Sequence, residues 1–421
     1  MKKTRILALV LAAAMSFSAL AGCSSSTEAT TSTASTTSTA STATASTEAA
    51  EEATTEEAGT IKIALIANTT GDYAMYGVPV ANGAMLYIDE LNAAGGINGK
   101  QIEVLSYDDK GDGAESVNAF NLAMDKGITA VIGSVLTGAT ITLADATEME
   151  NMPQITASAT AAGVTQIDPE DESQGIRENV FRSCFIDPFQ GEKMADYAAN
   201  VLGASTAAIL YESGSDYSEG LMAAFVEQAA ELGIEIVATE AFATGDSDFN
   251  AQMTKIANAS PDVVFAPVYY GEAGQAITQG RAAGLTATVL GGDGYGGISG
   301  YATAEDLEGT VYCSGYAPGT DSVVDFEANY EAAYGEAVPN MFAPLAYDAA
   351  MLLCEGLKAA EEAGLEAGSE EYKQAVIDAL SANAGTEGIT GSYTFDEYNN
   401  PIKSAAIMEL QDGTEVFTEL Y

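Results

Sequence analysis

The sequence predicts an α/β protein of two lobes, each built on a parallel β-sheet with helices on its faces. Three observations carry this prediction. From residue 60 onward, short runs rich in β-branched residues alternate with longer segments of helical periodicity. The segment from residue 60 is about 360 residues long, which exceeds the size of one compact core. The alternation also starts afresh after Arg182, so the pattern occurs twice.

The first lobe begins with a predicted strand at residues 61–67, a short run rich in apolar residues. A helix is predicted over 78–94, because Ala84, Ile88 and Leu91 share one face and two glycines follow at 95 and 96. The other elements predicted for this lobe are a strand at 102–107, a helix at 116–125, a strand at 130–132, a helix at 138–150 and a strand at 154–156.

The second lobe repeats the alternation. Its predicted elements are helices at 190–202, 218–232, 249–258 and 272–283 and strands at 207–211, 234–238, 263–266 and 288–290. Helices at 324–334, 343–363 and 370–381 and a strand-rich end from 391 to 421 follow. We therefore expect the chain to return to the first lobe and to finish in the second. The predicted division is 60–182 with 315–385 for the first lobe and 183–314 with 386–421 for the second.

The N-terminal segment predicts export and a lipid anchor. Residues 1–5 are cationic, and residues 6–20 form an apolar stretch too short to span a membrane. The following Leu20-Ala21-Gly22-Cys23 resembles the cleavage site of bacterial lipoprotein signals. That resemblance implies a signal peptide at 1–22, a lipidated Cys23 and an extracytoplasmic chain held at the cell membrane. An ordinary secretory signal with a chance cysteine is the alternative.

Composition narrows the possible functions further. Residues 23–59 are almost wholly Ser, Thr, Ala and Glu after the cysteine, which predicts a disordered linker because such a segment cannot bury a core. The formal net charge of −46 disfavours nucleic acid as a partner. The sequence contains no histidine, the usual general base of a catalytic triad and the commonest metal ligand. We therefore expect neither catalytic residues, nor a metal, nor a cofactor.

Beyond Cys23, three cysteines remain at positions 184, 313 and 354. An odd number leaves at least one free thiol, and their wide spacing does not indicate a disulfide framework. A bridge between Cys313 and Cys354 stays open as an alternative.

Candidate binding residues lie in the loops that follow the predicted strands, where ligands bind in open parallel sheets. Thr137 lies at the start of a helix, and Ser158-Ala159-Thr160 follows a strand. Hydroxyl groups and free N–H groups at a helix start favour an anion such as a carboxylate. Plain helix capping by Thr137 or Ser158 is the alternative.

The loops of the second lobe add an acidic residue and aromatic residues. Asp293 lies among glycines, which let the backbone approach a ligand, and its carboxylate could pair with an ammonium group. A simple turn residue is the alternative. Tyrosines that could form the walls of a pocket between the lobes are Tyr76, Tyr217, Tyr269 and Tyr270. Since adjacent residues point in different directions, one of Tyr269 and Tyr270 could instead pack in the core.

Six ordered segments resemble the leucine/isoleucine/valine-binding (type I periplasmic-binding) family, the extracytoplasmic solute-binding proteins of ABC importers. They are 71–77 (Gly-Asp-Tyr-Ala-Met-Tyr-Gly), 88–100 (Ile-Asp-Glu-Leu-Asn-Ala-Ala-Gly-Gly-Ile-Asn-Gly-Lys), 107–109, 131–134, 177–191 and 281–285. The likeness covers nearly all of residues 60–421. It implies the two-lobed periplasmic-binding-protein fold, in which a hinge of crossing segments joins the lobes.

The resemblance also implies roles for the candidate residues. In this family hydroxyl and backbone groups of the first lobe hold the ligand's carboxylate, and these match Thr137, Ser158 and Thr160. An acidic residue of the second lobe holds the ammonium, and it matches Asp293. The side-chain pocket draws on aromatic residues that match Tyr76, Tyr217 and one of Tyr269 and Tyr270.

Two departures from the family pattern affect the ligand. The branched-chain amino-acid binders carry Glu where Asp293 stands, and their first-lobe disulfide is absent because Gly111 or Asp112 and Leu136 occupy its positions. The resemblance implies a monomeric, non-enzymatic binding protein that delivers an apolar L-amino acid to a permease and its ATPase. An amide, a urea-like compound or an aromatic acid is the alternative ligand, and ligand sensing is the alternative role.

Overall fold

The computed structural model describes residues 59–421 and shows two β-sheets flanked by helices. The strands are β1 Thr60–Ala67, β2 Gln101–Asp108, β3 Val131–Ile132, β4 Gln154–Thr156, β5 Val180–Arg182, β6 Thr206–Ser213, β7 Glu235–Ala243, β8 Val263–Phe265, β9 Thr288–Gly291, β10 Val311–Ser314, β11 Ala384–Gly388, β12 Gly391–Thr394, β13 Ala406–Gln411 and β14 Thr414–Leu420. The helices are α1 Ala74–Ala93, α2 Gly113–Met124, α3 Thr137–Met149, α4 Asp187–Asn200, α5 Asp216–Leu232, α6 Asn250–Ala259, α7 Tyr270–Ala282, α8 Ala304–Leu307, α9 Val324–Tyr334, α10 Phe342–Glu362 and α11 Glu370–Ser381. The predicted signal peptide, Cys23 and nearly all of the predicted linker lie outside these residues.

The first sheet is parallel throughout, with strand order β2-β1-β3-β4-β5. The interior strand β1 is almost entirely buried, because helices cover both faces of the sheet. Ile63 pairs with Val104 of β2 on one side, and Ala64 pairs with Val131 of β3 on the other. This register brings the loops after β1, β3 and β4 to one edge of the sheet.

The second sheet has the order β14-β13-β10-β9-β8-β6-β7. Strands β10, β9, β8, β6 and β7 are parallel, whereas β13 and β14 form an antiparallel hairpin on the β10 side. The parallel strands place the loops after β6, β8 and β9 at one edge. The predicted alternation of strands and helices, and the restart after Arg182, are therefore confirmed.

The chain crosses between the two halves three times, after β5, after β10 and before β13. After the second crossing, α10 packs along α1 of the first half so closely that Gly83 lies against the backbone of Ala343. A small antiparallel hairpin of β11 and β12 precedes the third crossing. The two-lobed architecture expected from the sequence is confirmed, while the residue-level lobe boundaries stay a prediction.

Helix α1 begins at Ala74, four residues before the predicted start, and so contains Pro79 inside it. A proline has no N–H for the carbonyl four residues earlier, which here is that of Met75. The Asn340 side-chain amide donates to this carbonyl at 2.8 Å and replaces the missing bond. A long-range contact thus permits a helix start that local sequence rules place after the proline.

Two further features bear on the expectations from sequence. Cys184, Cys313 and Cys354 are all free and buried, so the structure contains no bridge between Cys313 and Cys354. Within residues 59–421, no helix combines the length and the apolar character needed to cross a membrane.

Candidate functional site

The loops at the facing edges of the two sheets enclose a small cavity between the halves. Its lining residues are Tyr76, Val135, Leu136, Thr137, Ser158, Tyr217, Tyr269, Asp293, Gly294 and Phe342. The space open to the centre of a water molecule is about 10 Å³, which is room for about one water. An amino acid can therefore enter only if the halves separate or lining side chains move.

The first half contributes hydroxyl groups and a helix start to this cavity. Thr137 is the first residue of α3, and no side chain caps this helix. The first N–H groups of a helix have no partners inside it and carry partial positive charge. The Ser158 hydroxyl donates to the Val135 carbonyl at 2.8 Å, which leaves its oxygen free to accept. This side of the cavity is suited to an anionic group.

Ala159 and Thr160 lie behind the cavity and do not line it. The buried Arg182 donates to the carbonyl of Ala159 at 2.9 Å and to that of Ala161 at 3.0 Å, and so fixes the course of this loop. The Thr160 hydroxyl is buried and has no hydrogen-bond partner among the described residues. Its carbonyl accepts from the Asp187 N–H at 3.0 Å, which links the loop to the second half.

The second half contributes one carboxylate to the cavity. Asp293 follows β9 and is 2% exposed. Its Oδ1 accepts from the Tyr217 hydroxyl at 2.9 Å and from the Gln190 amide at 3.2 Å. Burial raises the pKa of Asp293 to about 6, although these hydrogen bonds oppose the shift. At neutral pH the cavity thus combines an anion-binding side with a carboxylate side.

Aromatic residues hold the two halves together around the cavity. The Tyr76 hydroxyl donates to the Gly294 carbonyl at 2.6 Å and accepts from the Tyr270 N–H at 3.2 Å. Tyr269 stacks on Tyr217 with ring centroids 4.8 Å apart. Tyr270 does not line the cavity, since its hydroxyl instead donates to the Asp72 carbonyl at 2.5 Å. Of the adjacent tyrosines, Tyr269 is the one at the cavity.

The structure brings together six of the nine residues proposed from sequence as ligand contacts, namely Tyr76, Thr137, Ser158, Tyr217, Tyr269 and Asp293. Sequence reasoning missed Phe342, which reaches the cavity from α10 and shows no local motif. It also missed Asp187 and Gln190, although both lie in the 177–191 segment that carried the family resemblance. Among residues 59–421, no group of three or more His, Cys, Asp or Glu side chains is arranged to hold a metal ion.

Comparison with known proteins yields a consistent set of relatives. The model of a family described as periplasmic binding protein matches residues 60–415. The leucine-, isoleucine-, valine-, threonine-, and alanine-binding protein of Pseudomonas aeruginosa is 33% identical over 346 residues, which are 81% of this chain and 87% of that protein. The Leu/Ile/Val-binding protein BraC3 of Rhizobium johnstonii is 32% identical over 338 residues, 80% of this chain and 88% of the relative.

Solved structures agree with these relatives. The branched-chain amino acid transporter substrate binding protein LivJ from Streptococcus pneumoniae, in complex with isoleucine, is 33% identical and superposes with a TM-score of 0.76 over 85% of this chain and 99% of that one. A leucine binding protein from Thermotoga maritima is 28% identical with a TM-score of 0.76, over 86% and 98% of the two chains. A benzoate complex from R. palustris, at 23% identity and a TM-score of 0.74 over 86% and 96% of the two chains, shares the fold.

Proposed function

The chain belongs to the periplasmic binding protein family, and on that premise we propose that it is the extracytoplasmic substrate-binding component of an ABC importer for an apolar L-amino acid. Branched-chain amino acids are the first candidates, because relatives named for them align over about four fifths of this chain. The proposal includes a permease and ATPase as partners, a lipid anchor at Cys23, a monomeric state and no enzymatic activity.

One observation carries this proposal: the cavity has groups for both ends of an amino acid on opposite halves of the protein. The α3 start with Thr137 and Ser158 suits the carboxylate, and the buried Asp293 suits the ammonium. An aromatic acid has no ammonium to neutralise Asp293, so the buried carboxylate favours an amino acid over such a ligand.

Placing the two groups on different halves also supports a closing mechanism. A ligand shifts the equilibrium between open and closed forms only if it binds one form more tightly. An amino acid that contacts Thr137 from the first half and Asp293 from the second can engage both only when the halves meet. Contacts between the halves, such as that from Tyr76 to Gly294, then complete the closed form.

The experiment that tests the proposal is calorimetric titration of residues 60–421 with leucine, isoleucine and valine, followed by leucinamide and benzoate. We expect saturable binding of at least one apolar L-amino acid at micromolar concentration or below. Binding of benzoate alone, or of leucinamide alone, would contradict the amino-acid assignment. Absence of any transport defect after deletion of the gene, despite tight binding in vitro, would favour ligand sensing.

The Thr137 hydroxyl gives a prediction about the carboxylate. Thr137→Ala should weaken isoleucine binding by at least about tenfold, since a hydrogen bond to a charged group is worth about 1.5–3 kcal/mol. Leucinamide, which has no carboxylate, should lose less. Thr142→Ala on the same helix is the matched control, because Thr142 is exposed and its hydroxyl donates to the Gly138 carbonyl at 2.9 Å. Equal losses for both ligands would remove Thr137 from the carboxylate site.

A further inference from the structure

Two buried carboxylates lie side by side at the cavity, and only one of them lines it. Asp187, the first residue of α4, is 0% exposed, and Asp293 is 2% exposed. The Gln190 Nε2 donates to Oδ1 of Asp187 at 3.3 Å and to Oδ1 of Asp293 at 3.2 Å. Because one nitrogen contacts both, the two oxygens are at most about 6.5 Å apart. A single amide therefore bridges the pair.

One cation near the pair is already engaged elsewhere: Arg177 lines a pocket with Asp187 but forms ion pairs with Asp145 and Glu148. The charged, titratable and hydroxyl side chains that face Asp187 or Asp293 from the surrounding elements are Thr160, Arg182, Asp216, Tyr76, Tyr217, Tyr269, Cys184 and Cys313. Arg182 is the single cation in this set, and its N–H groups bond to the carbonyls of Ala159 and Ala161 and to the Thr165 hydroxyl. Asp187 Oδ2 has no hydrogen bond of ordinary geometry among the described residues, but the nearby Thr160 hydroxyl favours the ionised form of this carboxyl.

Electrostatics disfavours two ionised carboxylates in this setting. Burial, followed by the charge of Asp293, raises the pKa of Asp187 well above its usual range, while the Thr160 hydroxyl and then Arg182 oppose the shift. Arg182 can compensate one negative charge. A second negative charge needs either a proton or another cation nearby, because an uncompensated buried charge is costly. The ammonium of an amino acid is such a cation.

We propose that Asp187 and Asp293 share one proton when no amino acid is bound, and that the ligand's ammonium displaces this proton to solvent. The inference rests on the proposed function and adds proton exchange to it. Before binding, one proton and Arg182 neutralise the two carboxylates; after binding, the ammonium and Arg182 do so. The local charge is thus the same in both states, and one proton leaves for each ammonium that enters. The proton belongs to the pair rather than to either residue.

Calorimetry in buffers of different ionisation enthalpy measures the displaced proton. Isoleucine is titrated into the protein at pH 7.5 in phosphate and in Tris, and the difference in heat gives the number of protons exchanged. We expect release of roughly half a proton or more per ligand in the native protein. Asp187→Asn should reduce this number to near zero while isoleucine still binds. Asp325→Asn is the matched control, because Asp325 is exposed on α9 and is not among the groups around the pair, and it should leave the number unchanged.

A second measurement does not depend on the ligand. Infrared spectra of the protein without added amino acid should contain a carboxylic-acid C=O band above pH 6, which disappears in Asp187→Asn. Absence of this band, or equal heats in both buffers for the native protein, would overturn the inference while leaving amino-acid binding intact. If the band is present but no amino acid binds, the shared proton is supported and the proposed function fails.

Discussion

Asp293→Ala is expected to weaken binding of isoleucine by at least about thirtyfold, or roughly 2 kcal/mol. The carboxylate is buried at a cavity with room for about one water, so its removal leaves the proposed ammonium site without a negative partner. The Tyr217 hydroxyl also loses its acceptor, which adds to the cost. Calorimetric titration at pH 7.5 measures the effect. An unchanged affinity would exclude Asp293 from the ammonium site.

Asp293→Asn separates the loss of charge from the loss of hydrogen bonds. The asparagine oxygen can still accept from Tyr217 and Gln190, so weaker binding in this variant reports the charge alone. In contrast to ligand binding, which weakens, the free energy of unfolding of Asp293→Asn should increase at neutral pH. The folded-state pKa of Asp293, about 6, is above the ordinary value, so ionisation disfavours the native state increasingly as pH rises from about 4 to 6.

At pH 7.5 the asparagine variant should therefore unfold at a higher urea concentration than the native protein, and this advantage should vanish below pH 4. Asp325→Asn, with its exposed side chain on α9, is the control for both measurements. Lower stability of Asp293→Asn at pH 7.5 would contradict the assigned pKa direction.

Gly83→Ala is expected to lower the free energy of unfolding by at least about 2 kcal/mol. A methyl group at this position of α1 would lie 1.9 Å from the Ala343 carbonyl oxygen and 2.7 Å from its carbon. The obstacle is backbone, so helices α1 and α10 must move apart, and overpacking of this kind costs about 1–3 kcal/mol or more. Because the 1.9 Å approach is to a backbone atom, we expect a cost of about 3 kcal/mol or more, and the helix-propensity gain of about 1 kcal/mol for replacing glycine by alanine leaves a net loss of at least about 2 kcal/mol.

Urea denaturation monitored by tyrosine fluorescence provides the measurement, and the midpoint is the quantity to compare. Gly271→Ala in α7 is the matched control, because a methyl group there meets no atom within 4 Å. That variant should be as stable as the native protein or slightly more so. Ligand binding should also weaken in Gly83→Ala, since Ala343 adjoins Phe342 at the cavity. Equal midpoints for Gly83→Ala and Gly271→Ala would disprove the close packing of α1 on α10.

Local sequence patterns predicted the fold where a strand or helix is defined by its own residues. The run at β1 is apolar on both faces, and α9 and α11 occupy the bounds that their helical pattern predicts. The predicted start of α1 at residue 78 was wrong, because the observed start depends on Asn340, which is more than 250 residues away in sequence. The Asn340 side chain donates to the Met75 carbonyl, which Pro79 leaves without a helical hydrogen bond. Long-range hydrogen bonds of this kind have no local signal.

In the candidate site, too, some residues could be predicted from local sequence and others depend on long-range packing. Thr137, Ser158 and Asp293 follow strands, and the topology of parallel sheets was enough to bring them to one cavity. Phe342 reaches that cavity only because α10 returns to pack on α1, which no pattern near Phe342 indicates. Asp187 and Gln190 had a signal in their shared motif, but a bridge from one amide to two carboxylates can be seen only in three dimensions.

The three crossings between the halves have a consequence for how the chain folds. Neither half is one continuous stretch of sequence: β10 pairs with β13, although α9, α10 and α11 lie between them in the chain and belong to the other half. Contacts between residues this distant in sequence require large loops to close. The conformational entropy lost in closing such loops slows folding. The second half therefore completes its sheet late, and we expect the two halves to fold as interdependent units rather than one after the other.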